Sequence, residues 1–387
     1  MILKNKFLFI LLLIPLSFNG LSQNLKPTFS LNGYVKYLPA YMDYSFFESE
    51  NNHLIHNRIN MRGYFGNNLS LGLEIRNRVF LGDIPTIQTD EGLIDMSYNI
   101  FREEKFVLHS MIDRFWLKYQ KDKIEISLGR QRVNWGVNTI WNNNDLFNAY
   151  NFIDFDYIER PGSDVIRFIY TGDNLSSFEL VYLPSERKGY SLAGLYKLNS
   201  FGYDFQILAA NYFEDIVIGG GWAGNIKNAG FKGELSYFVD KENIKNSLSF
   251  STSVDYSTKN GFYFLGSYLY NSNGQNESNF LSLININANV LSPKNLMPSK
   301  NSYLIQTSGY ITPAINSSLT LLYGEGINFF FISPNITYDI NSSLDASVIG
   351  QFFFMNNNNE IPTNTGIVSN NSVNTINGYY ARIKWSF

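Results

Sequence analysis

Alternation of apolar and polar residues runs through almost the whole chain. Phe29, Leu31, Gly33, Val35 and Tyr37 alternate with Ser30, Asn32, Tyr34, Lys36 and Leu38. Ile55, Ile59, Met61 and Phe65 alternate with His56, Arg58, Asn60, Arg62 and Tyr64, and a short Gly66–Asn68 turn leads to Leu69, Leu71, Leu73, Ile75 and Val79 against Ser70, Gly72, Glu74, Arg76 and Arg78. Phe115, Leu117 and Tyr119 oppose Arg114, Trp116 and Lys118, and Ile166, Phe168 and Tyr170 flank Arg167. Between Ser247 and Tyr256, every second residue is Ser or Asp, and Leu248, Phe250, Thr252, Val254 and Tyr256 fill the other face. A period of two means strands, with one face apolar and one wet. A soluble core has no need for serine at every second position. The pattern suits strands whose apolar side meets lipid and whose polar side lines a water-filled interior.

Connection lengths point the same way. Short links rich in Gly, Asn, Asp and Ser fall near 66–68, 120–123, 171–174, 197–202, 225–228, 257–261, 312–317 and 339–343. They alternate with a set that is often long, near 39–53, 82–106, 132–164, 183–189, 214, 239–246, 271–301, 325 and 356–374. Short periplasmic turns interleaved with longer outer loops predict an all-β fold: an antiparallel transmembrane β-barrel of about 18 strands (16–18) with both termini inside. Alternation is weak across Asp215–Asn225, where Gly219, Gly220 and Gly221 fit a strand that needs small side chains.

The start of the chain reads as an export signal: Lys4 and Lys6, an apolar Phe7–Leu16 too short to span a bilayer, and small residues before Gln23. This assigns residues 1–22 to a signal peptide and 23–387 to the barrel. The chain has no Cys, which excludes a lipid-anchored cysteine and disulfides. Without the leader the net charge is about −5, which argues against a nucleic-acid partner. Aromatics reach 16%, as interfacial girdles require. Export plus a barrel predicts the outer membrane of a Gram-negative bacterium. The expected surroundings are its lipid and lipopolysaccharide.

The last residues, Tyr379–Phe387, put Tyr379, Ile383, Trp385 and Phe387 on one face and Arg382 and Lys384 on the other. This ending resembles the C-terminal aromatic signal of bacterial outer-membrane barrels, and the resemblance implies recognition by the barrel-assembly machinery. One connection differs from all the rest. From Gly129 to Asp164 the alternation gives way to packed aromatics and acids. By the preceding register Arg130 would face lipid, so either a bulge at Gly129 flips the register or the strand leaves the bilayer there. The pairs Arg130-Gln131 and Trp135-Gly136, then Trp141, Asp145-Leu146-Phe147-Asn148 and Arg160-Pro161-Gly162-Ser163-Asp164, resemble the alginate-export porins and their relatives. Asn143 and Ala149 stand where that pattern has proline. The resemblance implies a pore-forming barrel whose Trp/Asp-rich loop shapes the constriction, with no implication about cargo.

Two readings of this loop follow from the residues. As a lid, Trp135, Trp141 and Phe147 pack on each other and Asp145 or Asp164 caps a turn. As an eyelet, Asp154, Asp156 and Glu159 face a basic wall of Arg58, Arg62, Arg76, Arg78, Arg114, Lys118, Arg167, Arg382 and Lys384. Opposed charge walls set up a transverse field, and the cation excess favours anions. Alternatively Glu74 and Glu125 pair with these cations as stiffening ladders. The expected function is passive diffusion of small hydrophilic solutes, with anions or acidic saccharides preferred and no cofactor. A sealed barrel that binds a partner protein or glycan through its outer loops is the second reading. A rim hydrolase built on His109 and Asp113 is a third, with no nucleophile in view. His53, His56 and His109 lack metal-site spacing.

Overall fold

The computed structural model describes residues 27–45, 47–84, 87, 90, 92–148, 162–242, 245–276, 292–363 and 366–387, with backbone alone for 356–363 and 366–372. Nineteen strands run in chain order: β1 (Thr28–Tyr44), β2 (Glu50–Phe65), β3 (Leu69–Gly82), β4 (Ser97–Arg102), β5 (Phe106–Lys121), β6 (Ile124–Gln131), β7 (Ser163–Thr171), β8 (Ser177–Ser185), β9 (Gly189–Ser200) and β10 (Tyr203–Tyr212), then β11 (Asp215–Ile226), β12 (Ala229–Asp240), β13 (Ser247–Ser257), β14 (Tyr263–Asn271), β15 (Asn301–Thr312), β16 (Ile315–Glu325), β17 (Phe329–Asn341), β18 (Leu344–Thr363) and β19 (Gly366–Ser386). Eighteen of them form a closed antiparallel barrel, each paired with its sequence neighbour, and β1 pairs with β19 to complete the ring. Closure leaves no strand edge, so the backbone groups of the wall are satisfied within it. At the seam Gly33 and Phe387 exchange backbone bonds of 3.0 Å each.

β4 is the extra strand, folded within the long β3–β5 connection. It pairs with Val107–Met111 of β5, above the point where β6 pairs with Phe115–Lys121. Between these two zones β5 carries a bulge: Glu74 partners Arg114 and Ile75 partners Ile112, which leaves Asp113 as the extra residue. The bulge turns Asp113 and Arg114 toward the same side, the interior, where both side chains meet partners from β2 and β3.

The outer surface follows the period of two. Ile207, Ile218, Leu128 and Ile305 stand between 57% and 62% exposed on the outward face. Tyr268, Tyr303, Tyr323, Phe330 and Phe354 sit in register on β14 to β18 and make an unbroken aromatic row toward the outer rim. The Tyr268 and Tyr303 ring centroids are 5.3 Å apart. Large rings at the headgroup level and aliphatic residues between them are what a bilayer imposes.

The expected turns all occur, but two outer connections are shorter than expected. β1 continues to Tyr44 and β2 starts at Glu50, inside the 39–53 stretch. β18 and β19 pair through Thr363 and Gly366, so 356–374 is a long hairpin above the barrel rather than a loop. The interior also departs from a uniformly wet lining. Leu265, Leu269, Leu304, Leu322, Phe329, Phe331, Phe353 and Met355 of β14–β18 are buried inside, and Leu296 and Met297 pack on them. These strands are apolar on both faces near their outer ends because a chain segment, not water, covers the inner one.

Ile305→Arg, on the lipid face between the Tyr303 row and the lower rim, is expected to destabilise the barrel by about 2–4 kcal/mol. Urea titration of protein refolded into lipid vesicles measures it, and a loss under about 0.5 kcal/mol would contradict the lipid-facing assignment.

Candidate functional site: the infolded loop and the charged ladder

Residues 132–148 leave the end of β6 and turn into the barrel. They form no regular secondary structure, so their backbone groups need partners from elsewhere. The inward faces of β10, β12 and β13 provide them. Glu234 of β12 accepts the backbone N–H groups of Val137 at 2.6 Å, Asn138 at 2.6 Å and Asn144 at 2.8 Å. The Ser251 hydroxyl of β13 donates to the Trp141 carbonyl at 2.8 Å and accepts from the Asn138 amide at 2.8 Å. Ser249 accepts from the Asn143 side chain, and Ser236 donates to the Asn143 carbonyl at 3.0 Å. The alternating serines are therefore the bed on which the loop lies, each at most 1% exposed.

Two more strands complete the seat. The Gln206 amide donates to the Trp135 carbonyl at 2.7 Å and the Tyr212 hydroxyl to the Leu146 carbonyl at 2.8 Å. On β11 the Asn144 amide donates to the Gly220 carbonyl at 2.9 Å. A Cβ on Gly219 would come within 3.0 Å of Asn144, Leu235 and Leu208, so glycine is required for the loop to approach this closely. The crowding relief expected for the triple glycine thus has a specific beneficiary.

The loop's aromatics divide between two buried clusters. Trp135 packs edge-on against Phe147 with centroids 5.1 Å apart, among Val133, Leu146, Val181 and Leu208. Its indole N–H donates to Glu179 at 2.7 Å. Trp141 lies apart, with Leu265, Leu296 and Met297. The expected mutual packing of Trp135, Trp141 and Phe147 therefore holds for one pair only. Asp145 is fully buried in the loop's foot, and its N–H donates to the Asn142 carbonyl at 3.3 Å. Gln131 is held by Ser127 at 2.6 Å. Asp154, Asp156, Glu159 and Arg160 lie outside the described residues.

Arg130 keeps the outward parity expected from its register. The β6–β7 pairing runs through Arg130↔Asp164 without a shift, so no bulge flips it, although Gly129 has φ +110°. The strand has instead risen into a zone covered by protein. The guanidinium, 1% exposed, donates to Asp164 at 2.8 and 2.9 Å, to Asp90 at 2.5 Å, and to the carbonyls of Ile94 at 2.8 Å and Ile112 at 3.2 Å. It stitches β6 and β7 to the segment that leads into β4. Asp164 is thus an ion-pair partner and not a turn cap. The two carboxylates outnumber the one guanidinium, and Asp90 also accepts the N–H groups of Gly92 at 2.9 Å and Met96 at 2.7 Å.

Across the barrel, β2, β3 and β5 carry the ladder. Arg58 bonds Glu74 at 2.5 Å and also Asp113. Arg76 bonds Asp113 at 2.9 Å, Arg114 lies 3.3 Å from Glu74, and Arg62 pairs with Glu74 as well. Arg78 lies 3.5 Å from His109. Four arginines thus stand beside two carboxylates. Lys118 pairs with Glu125 at 2.9 Å, Arg167 with Glu179 at 2.6 Å, and Arg382 with Asp345 at 3.0 Å. Lys36 and Lys384 approach the Tyr34 ring at 5.2 and 5.4 Å. The expected cations do not share one cluster: Arg58, Arg62, Arg76 and Arg114 gather around Glu74 and Asp113, whereas Arg167 lies on the loop's side through Glu179. Asp113, the acid of the rim-hydrolase reading, is engaged by two arginines. Tyr379, Ile383, Trp385 and Phe387 all point outward at the closing seam, 45–53% exposed.

No protein-family model matches this sequence, and no curated protein matches it. Solved structures do. The fold is similar to that of the Occ barrels. OccK5 (OpdH) of Pseudomonas aeruginosa superposes with a TM-score of 0.58 at 10% identity, over 92% of this chain and 98% of that one. OccK7 (OpdD) of the same organism gives 0.57 at 10% identity, over 93% and 99%. OccAB4 of Acinetobacter baumannii gives 0.54 at 9% identity, over 92% and 98%. At such identity the likeness is one of architecture, and it extends over nearly the whole of each Occ chain.

The residues that sequence reasoning missed are the loop's partners on the wall: Glu234 and Glu179 as acceptors, Ser236 and Gln206 as donors. A lone Glu at an inward position opposite a row of serines was the available signal. Arg130→Met would leave Asp90 and Asp164 buried without their cation, a cost of about 3–5 kcal/mol. Hydrogen exchange checks it: the amides of Ile94 and Ile112 should exchange faster than in the parent, and unchanged protection would contradict the stitch.

Proposed function

We propose that this chain is an outer-membrane porin that lets small hydrophilic solutes, anions above all, diffuse through a lumen narrowed by residues 132–148. The observation that carries the reading is the pairing of an infolded loop on one wall with an arginine-rich ladder on the other. Similarity in fold to the OprD and Occ porins supports it. Arg62 and Lys118 keep 26% and 31% of their side chains exposed inside the barrel, so part of the ladder's charge reaches the water. In a narrow, low-dielectric passage such an excess attracts anions. The transverse field expected of Asp154, Asp156 and Glu159 concerns residues outside the described ones.

The Trp/Asp-rich motif supports a closer kinship with the alginate-export group, without identifying a cargo. Solutes pass without covalent chemistry, as the engagement of Asp113 by Arg58 and Arg76 favours. Residues 1–22 act as the export signal, and the outward Tyr379, Ile383, Trp385 and Phe387 as the assembly signal. One observation favours the sealed-scaffold reading: the apolar filling between Leu296, Met297 and the inner faces of β14–β18. Reversal potential across a planar bilayer under a salt gradient decides. The expected sign is that of anion selectivity, weakened when Arg62 and Lys118 are both changed to Gln. Cation selectivity would overturn the anion preference, and absence of current would favour the scaffold.

A further inference from the structure

The infolded segment is tied to the wall by many neutral hydrogen bonds and by two buried carboxylates, of which Glu179 takes the Trp135 indole and Glu234 takes the loop backbone. Glu234 is 0% exposed and receives three backbone N–H groups from two separate parts of the loop, Val137-Asn138 and Asn144. Oε1 accepts the first pair and Oε2 the third, so both oxygens are committed. Hydrogen bonds to an ionised acceptor are stronger than neutral ones, and these three join the two ends of the 137–144 segment through a single side chain.

We propose that Glu234 is the latch of the constriction: a positioning residue that holds residues 137–144 against β12 and thereby sets the width of the lumen. Its effect on width rests on the porin reading, whereas its hold on the loop does not. A glutamine cannot replace it. Whichever way the amide turns, its NH2 group faces N–H donors on one side, either those of Val137 and Asn138 or that of Asn144. The serine hydroxyls that line this wall are engaged elsewhere on the loop, Ser236 with Asn143 and Asn144 and Ser251 with Asn138 and Trp141.

The chain has no cysteine, so a single one reports cleanly. Val133, at the start of the infolded loop, is 0% exposed between the loop and the wall, and Val133→Cys places a thiol there. In folded barrels, labelling of that thiol by a water-soluble maleimide should be slow with Glu234 and about tenfold faster or more in E234Q, from the loss of charge-assisted bonds. Single-channel conductance should rise in the same variant. If E234Q fails to fold, as judged by heat-modifiable mobility, Val137→Pro removes one donor from the loop side and should also speed labelling. Unchanged labelling in a folded variant overturns the latch. Faster labelling with unchanged conductance in a conducting barrel overturns its control of width. If the parent barrel carries no current, the porin reading fails separately and labelling alone judges the latch.

Discussion

The need to satisfy every backbone N–H and C=O where no water is present governs this structure twice. In the wall, it demands a sheet without edges, and β1 meets β19 to supply one, down to the paired Gly33 and Phe387. Inside, it applies again to a stretch of chain with no strand or helix of its own. That stretch can stay in the barrel only if the wall offers acceptors and donors at the right height. Glu234, Gln206, Tyr212 and the β13 serines do so, and their alternation with Phe250, Val254 and Tyr256 is the sequence trace of a wall serving lipid on one side and a loop on the other.

The charges obey a related rule. A guanidinium taken out of water requires carboxylates and carbonyls close by. Arg58, with Glu74 and Asp113, and Arg130, with Asp90 and Asp164, meet that requirement in different ways. The first set spans neighbouring strands and stiffens the wall while leaving a cationic surplus. The second bridges the point where β6 ends and β4 takes over its place beside β5. A bulge at Asp113 makes the first set possible, since without it Asp113 and Arg114 would point to opposite faces.

Much of this was readable from the residues. Period-two alternation, turn spacing and the aromatic excess were enough for a barrel of about eighteen strands, because lipid imposes one pattern on every strand. The inward arginines were legible for the same reason. Partnership was not. Whether Arg62 meets Glu74 or water depends on which strands lie side by side and on a one-residue bulge. Arg130 showed its outward parity, but the segment that shelters it comes from 36 to 40 residues earlier in the chain. Leu265, Phe329 and Phe353 broke the wet-lumen rule because Leu296 and Met297 cover them, a long-range packing event that leaves no local mark. Glu234 looked like any lumen carboxylate until its three donors came into view.

The account's central claim is that a segment folded into the lumen narrows a water-filled passage. Single-channel current through purified protein, compared with a variant in which residues 137–144 are replaced by two glycines, tests it most directly. The account predicts open-channel current in both and a clearly larger one in the shortened variant. Equal currents, or no current from either, would contradict it.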